Sequence, residues 1–326
     1  MNSPPRNPVS DLTVVAVVPC YRETLHVLNV LKKFDETVSH ILVVDDACPD
    51  KTGDLVRGQA RDPRIEIIVH KTNHGVGGAT LTGYRRALQL DADIIVKIDG
   101  DGQIDPGMIT NIIRPIIAGR ADYAKGNRFF RLEGIFAMPL SRLIGNLGLS
   151  FASKLSSGYW KTFDPTNGFT AIHAHVAKIL PLDRIDESYF FESDMLYQLN
   201  VIRAVVADVP MAAVYGQETS NLRVTSVLLP FAFKHARNFI KRIFYTYFLR
   251  DFNAATLELL LGVLLAGFGF VFGTIKWHES LVTGATAATG VIILAALPFL
   301  IGSYLLISFL NFDVQNQPER PIHLDL

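Results

Sequence analysis

Four strand-length apolar runs punctuate the first hundred residues: Leu12–Val18, Ile41–Val44, Ile65–Val69 and Ile94–Ile98. Helix-length segments separate them, notably Leu25–Phe34 and Ala79–Leu90. This alternation predicts an α/β domain, with a mostly parallel sheet covered by helices on both faces. In such a sheet the strands' carboxyl ends reach one edge, where open α/β folds bind their ligands. The residues that follow each run therefore carry the chemistry.

After the first run stand Pro19, Tyr21 and Glu23, suited to stacking on and hydrogen-bonding a base or ribose. After the second come Asp45, Asp46, Asp50 and Thr52, acids suited to the base or ribose edge. After the third come Asn73, Gly75, Gly77, Gly78 and Ala79. Those glycines permit close backbone approach and a helix N-terminus directed at phosphate. After the fourth comes Asp99-Gly-Asp101-Gly-Gln103, two carboxylates and an amide. These are hard oxygen ligands of the kind Mg²⁺ or Mn²⁺ shares with substrate phosphates. No Gly-x-Gly-x-x-Gly follows the first strand, which argues against a dinucleotide-binding dehydrogenase.

The mean hydropathy of +0.26 is high for a soluble enzyme, and the excess lies at the C-terminal end. Leu259–Ile275 and Ser280–Phe312 contain no charged residue, and Val291–Leu310 is strongly apolar. A membrane-spanning helix needs about 20 mainly apolar residues. A two-helix hairpin turning at Lys276–Glu279 is expected. Lys234, Arg237, Lys241, Arg242 and Arg250 precede it with no acid between Val224 and Arg250. That bias predicts cytoplasmic termini. The polar lead-in Met1–Asp11 lacks the apolar core of a signal peptide, so the globular part is expected in the cytoplasm. On a helical wheel Lys234, Arg237, Lys241 and Arg242 gather opposite Phe239, Ile240, Ile243 and Tyr247. The pattern predicts an amphipathic helix in the headgroup region, its cations facing anionic phosphates. A weaker candidate runs from Met138 to Leu155.

Lys plus Arg balance Asp plus Glu at 31 each, which gives no basis for nucleic-acid binding. Cys20 and Cys48, each near a strand end, read as reduced core thiols. His173-Ala-His175 reads as incidental, not as a zinc site.

The order of these motifs resembles the family 2 inverting glycosyltransferases of GT-A fold. Within them it is most similar to the dolichyl- and polyprenyl-phosphate sugar synthases. Asp-Asp-x-x-x-Asp-x-Thr, Asn-x-Gly-x-Gly-Gly-Ala, Asp-x-Asp-x-Gln and Gly126-Asn-Arg128 follow the family's order over about Val14–Leu222. The resemblance implies donor-nucleotide contacts at Pro19, Tyr21, Glu23, Val44, Asp46, Gly78, Asp99, Gly100 and Asp101. It implies a Mg²⁺ or Mn²⁺ ion on Asp101 and Gln103, with Asp99 on or near it. Asp164 and Glu192 join Asp99 and Asp101 as catalytic candidates, and Asp194 shares the acidic helix start with Glu192. Arg128, Arg131 and Arg223 are the phosphate- or acceptor-binding candidates. Arg22 stands where the family has Asn, Ala213 replaces an arginine before Tyr215-Gly216, and Asn221 replaces a lysine.

The expected organisation is a flexible 1–11, a GT-A (Rossmann-like) domain over 12–224 and juxtamembrane amphipathic helices over 225–253. A transmembrane hairpin over 254–312 and a cytoplasmic tail over 313–326 complete it. The expected reaction is inverting transfer from a nucleotide-diphosphate sugar, UDP-linked by preference, to polyprenyl phosphate at the inner membrane. The lipid bilayer and a second copy of the chain are expected partners, with Gly262, Gly267 and Gly269 as packing residues. Alternative readings are a processive or lipid-linked-oligosaccharide transferase, or a non-catalytic sugar-nucleotide sensor. Gln217-Glu-Thr-Ser-Asn221 lacks the Arg-Trp of processive synthases.

Overall fold

The computed structural model describes residues 12–130, 140–211 and 224–326. Strand β1 spans Val14–Cys20, β2 His40–Asp45, β3 Ile65–Val69 and β4 Ile94–Lys97. All their mutual pairings are parallel, so their carboxyl ends share one edge as expected. Strands β5 (Tyr123–Asn127), β6 (Thr170–His173) and β7 (Val206–Pro210) extend the sheet to the order β3-β2-β1-β4-β6-β5-β7. Here β6 runs antiparallel to both β4 and β5, while β7 is parallel to β5. The sheet is mostly parallel, with one reversed strand.

The helices are α1 (Val27–Leu31), α2 (Thr52–Gln59), α3 (Gly75–Gln89), α4 (Ile109–Ile117), α5 (Leu140–Ser157), α6 (Ala174–Ile179) and α7 (Phe191–Val201). Two cores follow from strand alternation. Val14, Ala16, Val18 and Cys20 face α1, α2 and α4. Val15 and Val17 face α3, α6 and α7. A sheet covered on both faces needs apolar residues at every position, and β1 reads as an unbroken apolar run for that reason. Each fully buried valine or isoleucine stabilises by roughly 1.5–3 kcal/mol. Both cysteines are free and buried.

The chain forms two compact units, one from the described residues up to Phe239 with Pro318–Leu326, the other Ile240–Gln317. Helix α8 (Val224–Phe244) runs through their boundary. In the second unit a π-helical turn at Tyr245–Arg250 leads to α9 (Ala254–Thr283) and α10 (Thr289–Gln315). Both are long and apolar enough to cross a membrane. Asn253 caps α9 and Gly284, at φ +68°, ends it. The hairpin therefore turns at Gly284–Ala288, not at Lys276–Glu279. No breaker occurs there, and Lys276 and Glu279 form an i,i+3 ion pair at 2.7 Å that suits a continuing helix. Gly262 and Gly269 of α9 and Gly302 of α10 lie against the opposite helix, where a Cβ has no room. Those glycines serve the hairpin itself. Gly267 meets nothing within 4 Å among the described residues.

The wheel expected for α8 is also corrected. Arg242 is buried and bonds Asp313 twice, at 2.6 and 2.9 Å, and the buried Tyr247 hydroxyl joins them at 2.7 Å. Lys234 pairs with Asp186 at 2.5 Å. The exposed side of α8 instead carries Leu229, Phe233, Ile240 and Phe244 with Arg237 and Lys241. On α5, Leu147 and Phe151 are likewise exposed. Partners distant in sequence hold two of the four cations, Lys234 and Arg242, that the wheel directs at headgroup phosphates.

Candidate active site

The edge built by the ends of β1, β2 and β4 gathers most of the sequence candidates. After β1, Tyr21 is 43% exposed, and the Arg22 guanidinium lies 5.4 Å from its ring centre. Arg22 has φ +64°, a left-handed conformation that Asn adopts readily, and its side chain is exposed. The Arg22 N–H donates to Cys48 Sγ at 3.1 Å, which joins the β1 and β2 loops.

After β2, Asp45 accepts from the Cys48 and Gly53 N–H groups. Asp46 accepts from His74 N at 2.9 Å and Gly75 N at 2.7 Å, and its Oδ1 is 2.7 Å from His70 Nδ1. A carboxylate at the start of α3 is favoured by the helix dipole. Asp46 thus fastens the β2 loop to α3. His70 was not legible as its partner. Val44 is wholly buried, so any nucleotide contact there belongs to its backbone. The Gly78 N–H donates to the Glu187 carbonyl at 3.0 Å, and a Cβ at Gly77 would meet Asp186 O at 2.6 Å. The glycine-rich helix start packs on the Asp186–Glu187 backbone.

After β4, the Gln103 N–H donates to Asp101 Oδ1 at 2.9 Å, folding the acidic turn on itself. Gly100 is buried against Cys20 Sγ. Asp99 has a strong partner that sequence reading missed. Lys97, fully buried, places Nζ 2.7 Å from Asp99 Oδ1, 3.2 Å from Glu192 Oε1 and 3.2 Å from the Gly168 carbonyl. Burial alone lowers a lysine, but the Asp99 and Glu192 carboxylates outweigh it and hold Lys97 charged. Burial raises Glu192. The one available signal was a lysine inside the apolar run Ile94–Ile98.

A second ion pair stands beside the first. Arg128 donates through Nε at 2.8 Å and Nη2 at 2.7 Å to the two oxygens of Asp164, a bidentate fork. Asp164 also accepts from Asn167 Nδ2 at 3.0 Å. Burial pushes its carboxyl up, yet the Arg128 hydrogen bonds win and leave it below the usual range. Asp164 has φ +56°, a strained conformation of the sort that persists at functional sites. The buried Lys125 supports this loop from β5, donating to the Phe163 carbonyl. Asp194 is turned to structure instead, accepting from Asp186 N and Asn238 Nδ2. Arg131 and Arg223, like Ala213, Tyr215 and Asn221, lie outside the described residues.

Gly168 lies against the first of these ion pairs. A Cβ there would collide with Asp99 Oδ2 and lie 2.7 Å from Lys97 Nζ. If Asp99 serves the reaction, Gly168→Ala is expected to cut kcat/KM by about 30-fold or more with the fold retained, in line with the effect of a misplacement of about 1 Å. Steady-state kinetics beside a thermal melt checks this, and unchanged kinetics would mean that Asp99 moves aside freely.

Comparison with known proteins places the chain in a family. The family described as Glycosyl transferase family 2 matches residues 15–180. A UDP-N-acetylglucosamine–dolichyl-phosphate N-acetylglucosaminyltransferase from Methanococcus voltae is 31% identical over 237 residues, covering 68% of this chain and 94% of that protein. An undecaprenyl-phosphate mannosyltransferase from Micrococcus luteus is 29% identical, covering 62% of this chain and 84% of its own length. A solved glucosyl-3-phosphoglycerate synthase from Mycobacterium tuberculosis, in complex with Mn²⁺, uridine diphosphate and phosphoglyceric acid, shares the fold. Its TM-score is 0.55 at 15% identity, covering 72% of this chain and 80% of that one. The chain belongs to glycosyl transferase family 2 and is a sugar-transferring enzyme related to the dolichyl- and polyprenyl-phosphate sugar synthases.

Proposed function

We propose that this enzyme transfers a sugar from a nucleotide-diphosphate donor, UDP-linked by preference, to a polyprenyl phosphate, with inversion at the anomeric carbon. The observation that carries the acceptor class is the pairing of both acceptor-side carboxylates, Glu192 with Lys97 and Asp164 with Arg128. Transfer to a hydroxyl gains about 10²–10⁴-fold from a positioned base. A phosphate acceptor is already ionised and needs none. Two long apolar helices and the exposed apolar residues of α5 and α8 suit a lipid-borne acceptor. The relatives named for dolichyl- and undecaprenyl-phosphate support the same class. The basic residues before the hairpin support a multi-pass inner-membrane enzyme with its catalytic unit and both termini in the cytoplasm.

The Tyr21 ring stacks on the base, and Glu23 and the backbone near Val44 and Asp46 meet the nucleoside. Asp101 and the Gln103 amide oxygen, with Asp99 nearby, would hold Mg²⁺ or Mn²⁺. Among the described residues no group of three His, Cys, Asp or Glu forms a closed metal cage. One or two carboxylates sharing an ion with substrate phosphates is the usual Mg²⁺ arrangement, so the donor set fits. When bound, the ion neutralises charge on the departing diphosphate. Arg128, oriented by Asp164, presents its guanidinium to the acceptor phosphate. A phosphate oxygen attacks the anomeric carbon from the face opposite the nucleotide, and the bond electrons leave with the diphosphate. Catalysis is positioning plus charge stabilisation.

Purified full-length protein should be given labelled UDP-glucose, UDP-N-acetylglucosamine and GDP-mannose, with undecaprenyl phosphate or undecaprenol as acceptor. Organic-extractable label is expected with the phosphate alone. Glu192→Gln should keep transfer within about tenfold of wild type, below what removal of a general base costs. Equal labelling of undecaprenol, or a thousandfold loss in Glu192→Gln, would sink the phosphate reading.

A further inference from the structure

We infer that Lys97 is a positioning residue of the donor site, an internal ammonium that fixes the Asp99 carboxylate and locks it to the start of α7. The inference deepens the proposed function and rests on it for the role of Asp99. An ammonium has three N–H donors, and Lys97 Nζ has three acceptors: Asp99 Oδ1 at 2.7 Å, Glu192 Oε1 at 3.2 Å and Gly168 O at 3.2 Å. Those acceptors come from three chain segments: the acidic turn, the loop that begins at Asp164, and the first turn of α7. A fully buried ammonium is costly unless its geometry is satisfied throughout, and this one is.

The arrangement has a directional consequence. Asp99 is 31% exposed at its side chain, whereas Lys97 is fully buried and Glu192 10% exposed. Lys97 therefore holds Asp99 from beneath while leaving part of that carboxylate open to solvent and ligand. With Oδ1 taken by Lys97 and Oδ2 against Gly168, Asp99 has little rotational freedom. Donor affinity should then depend on a residue that itself never touches the donor. A hydrophobic residue of equal length would leave two neighbouring carboxylates without a counter-charge, and like charges that close repel. Asp99 would swing away from the position in which Lys97 holds it.

The test measures Mn²⁺-dependent binding of UDP, or of GDP if the wild type prefers it, by calorimetry on the full-length protein in detergent. Lys97→Met is expected to weaken binding at least tenfold and lower kcat at least a hundredfold. The KM for polyprenyl phosphate should stay within threefold. In a Glu192→Gln parent, where only the Asp99 carboxylate is left beside the missing ammonium, the same change should cost about threefold. That background also removes the charge imbalance, so it carries the test if Lys97→Met alone does not fold. Binding within twofold of the parent in both backgrounds overturns the inference, as does a lowered melting temperature with unchanged affinity. A wild type that binds nucleotide but labels no polyprenyl phosphate refutes the acceptor reading, while the role of Lys97 is still decided by the binding data.

Discussion

Asp101→Ala is expected to lower sugar transfer by about a hundred- to a thousandfold while moving the melting temperature by only a few degrees, the scale seen when a charge-stabilising group is removed from an active site. Asp101 is the cleaner of the two acidic positions to test. Asp99 is tied to Lys97 at 2.7 Å, so removing it would also leave a buried ammonium short of a partner. Asp101 is partly exposed, its Oδ1 accepts from the Gln103 N–H at 2.9 Å, and Gly102 at φ +78° and Asp105, capping the turn at Pro106–Met108, hold the turn beside it. Losing one hydrogen bond at a partly exposed turn, where water replaces it, costs about 1 kcal/mol, or roughly 2–4 °C in the melting temperature. Kinetics with a saturating labelled donor, a thermal melt and a chelator titration with Mn²⁺ restoration form one experiment. Near-normal transfer by Asp101→Ala, or full activity in excess chelator, would remove the divalent ion from the proposal.

What the sequence disclosed follows from the range of the interactions involved. Strands β1 to β4 were legible because each is an apolar run of four or more residues followed by turn-forming, chemistry-bearing residues. Strand β5 was not, since Tyr123-Ala-Lys125-Gly-Asn127 reads as polar although every position is buried. Lys125 and Asn127 are satisfied there by Asp208, more than 80 residues away. The same distance hid the role of Lys97, two of whose three partners lie 71 and 95 residues along the chain. The helical wheel of α8 misled for this reason as well. It sorted residues by polarity alone, whereas Asp313, 71 residues on, draws Arg242 inside. Sequence periodicity reports which side chains are polar. It does not report which polar side chains find each other.

The largest effect expected on stability lies at the far end of the chain, in a segment that composition marked only as a tail. Asp122 has no exposed surface at its side chain, and four donors satisfy it. Val205 N donates at 2.7 Å, Ile322 N at 3.0 Å and His323 N at 2.9 Å, and the His323 ring nitrogen lies at 2.7 Å. Three of these four come from the segment Pro318–Leu326. The His323 ring also stacks on His173 at 4.3 Å, and burial with the neighbouring imidazoles lowers His173 to about 4, which keeps it neutral near pH 7. Deleting Pro318–Leu326 removes three hydrogen bonds to a charged acceptor, each worth about 1.5–3 kcal/mol. Water reaching the uncovered carboxylate offsets part of that loss. A net destabilisation of about 3 kcal/mol follows, or a fall of roughly 6–12 °C in the melting temperature of a domain this size. His323→Ala keeps both backbone donors and should cost about a third as much. Asp122→Asn should resemble the deletion, because an amide NH₂ group would face N–H donors. Thermal melts of the three variants in one detergent give the comparison. Equal melting temperatures for the deletion and the wild type would show that the tail is not held to Asp122 in solution.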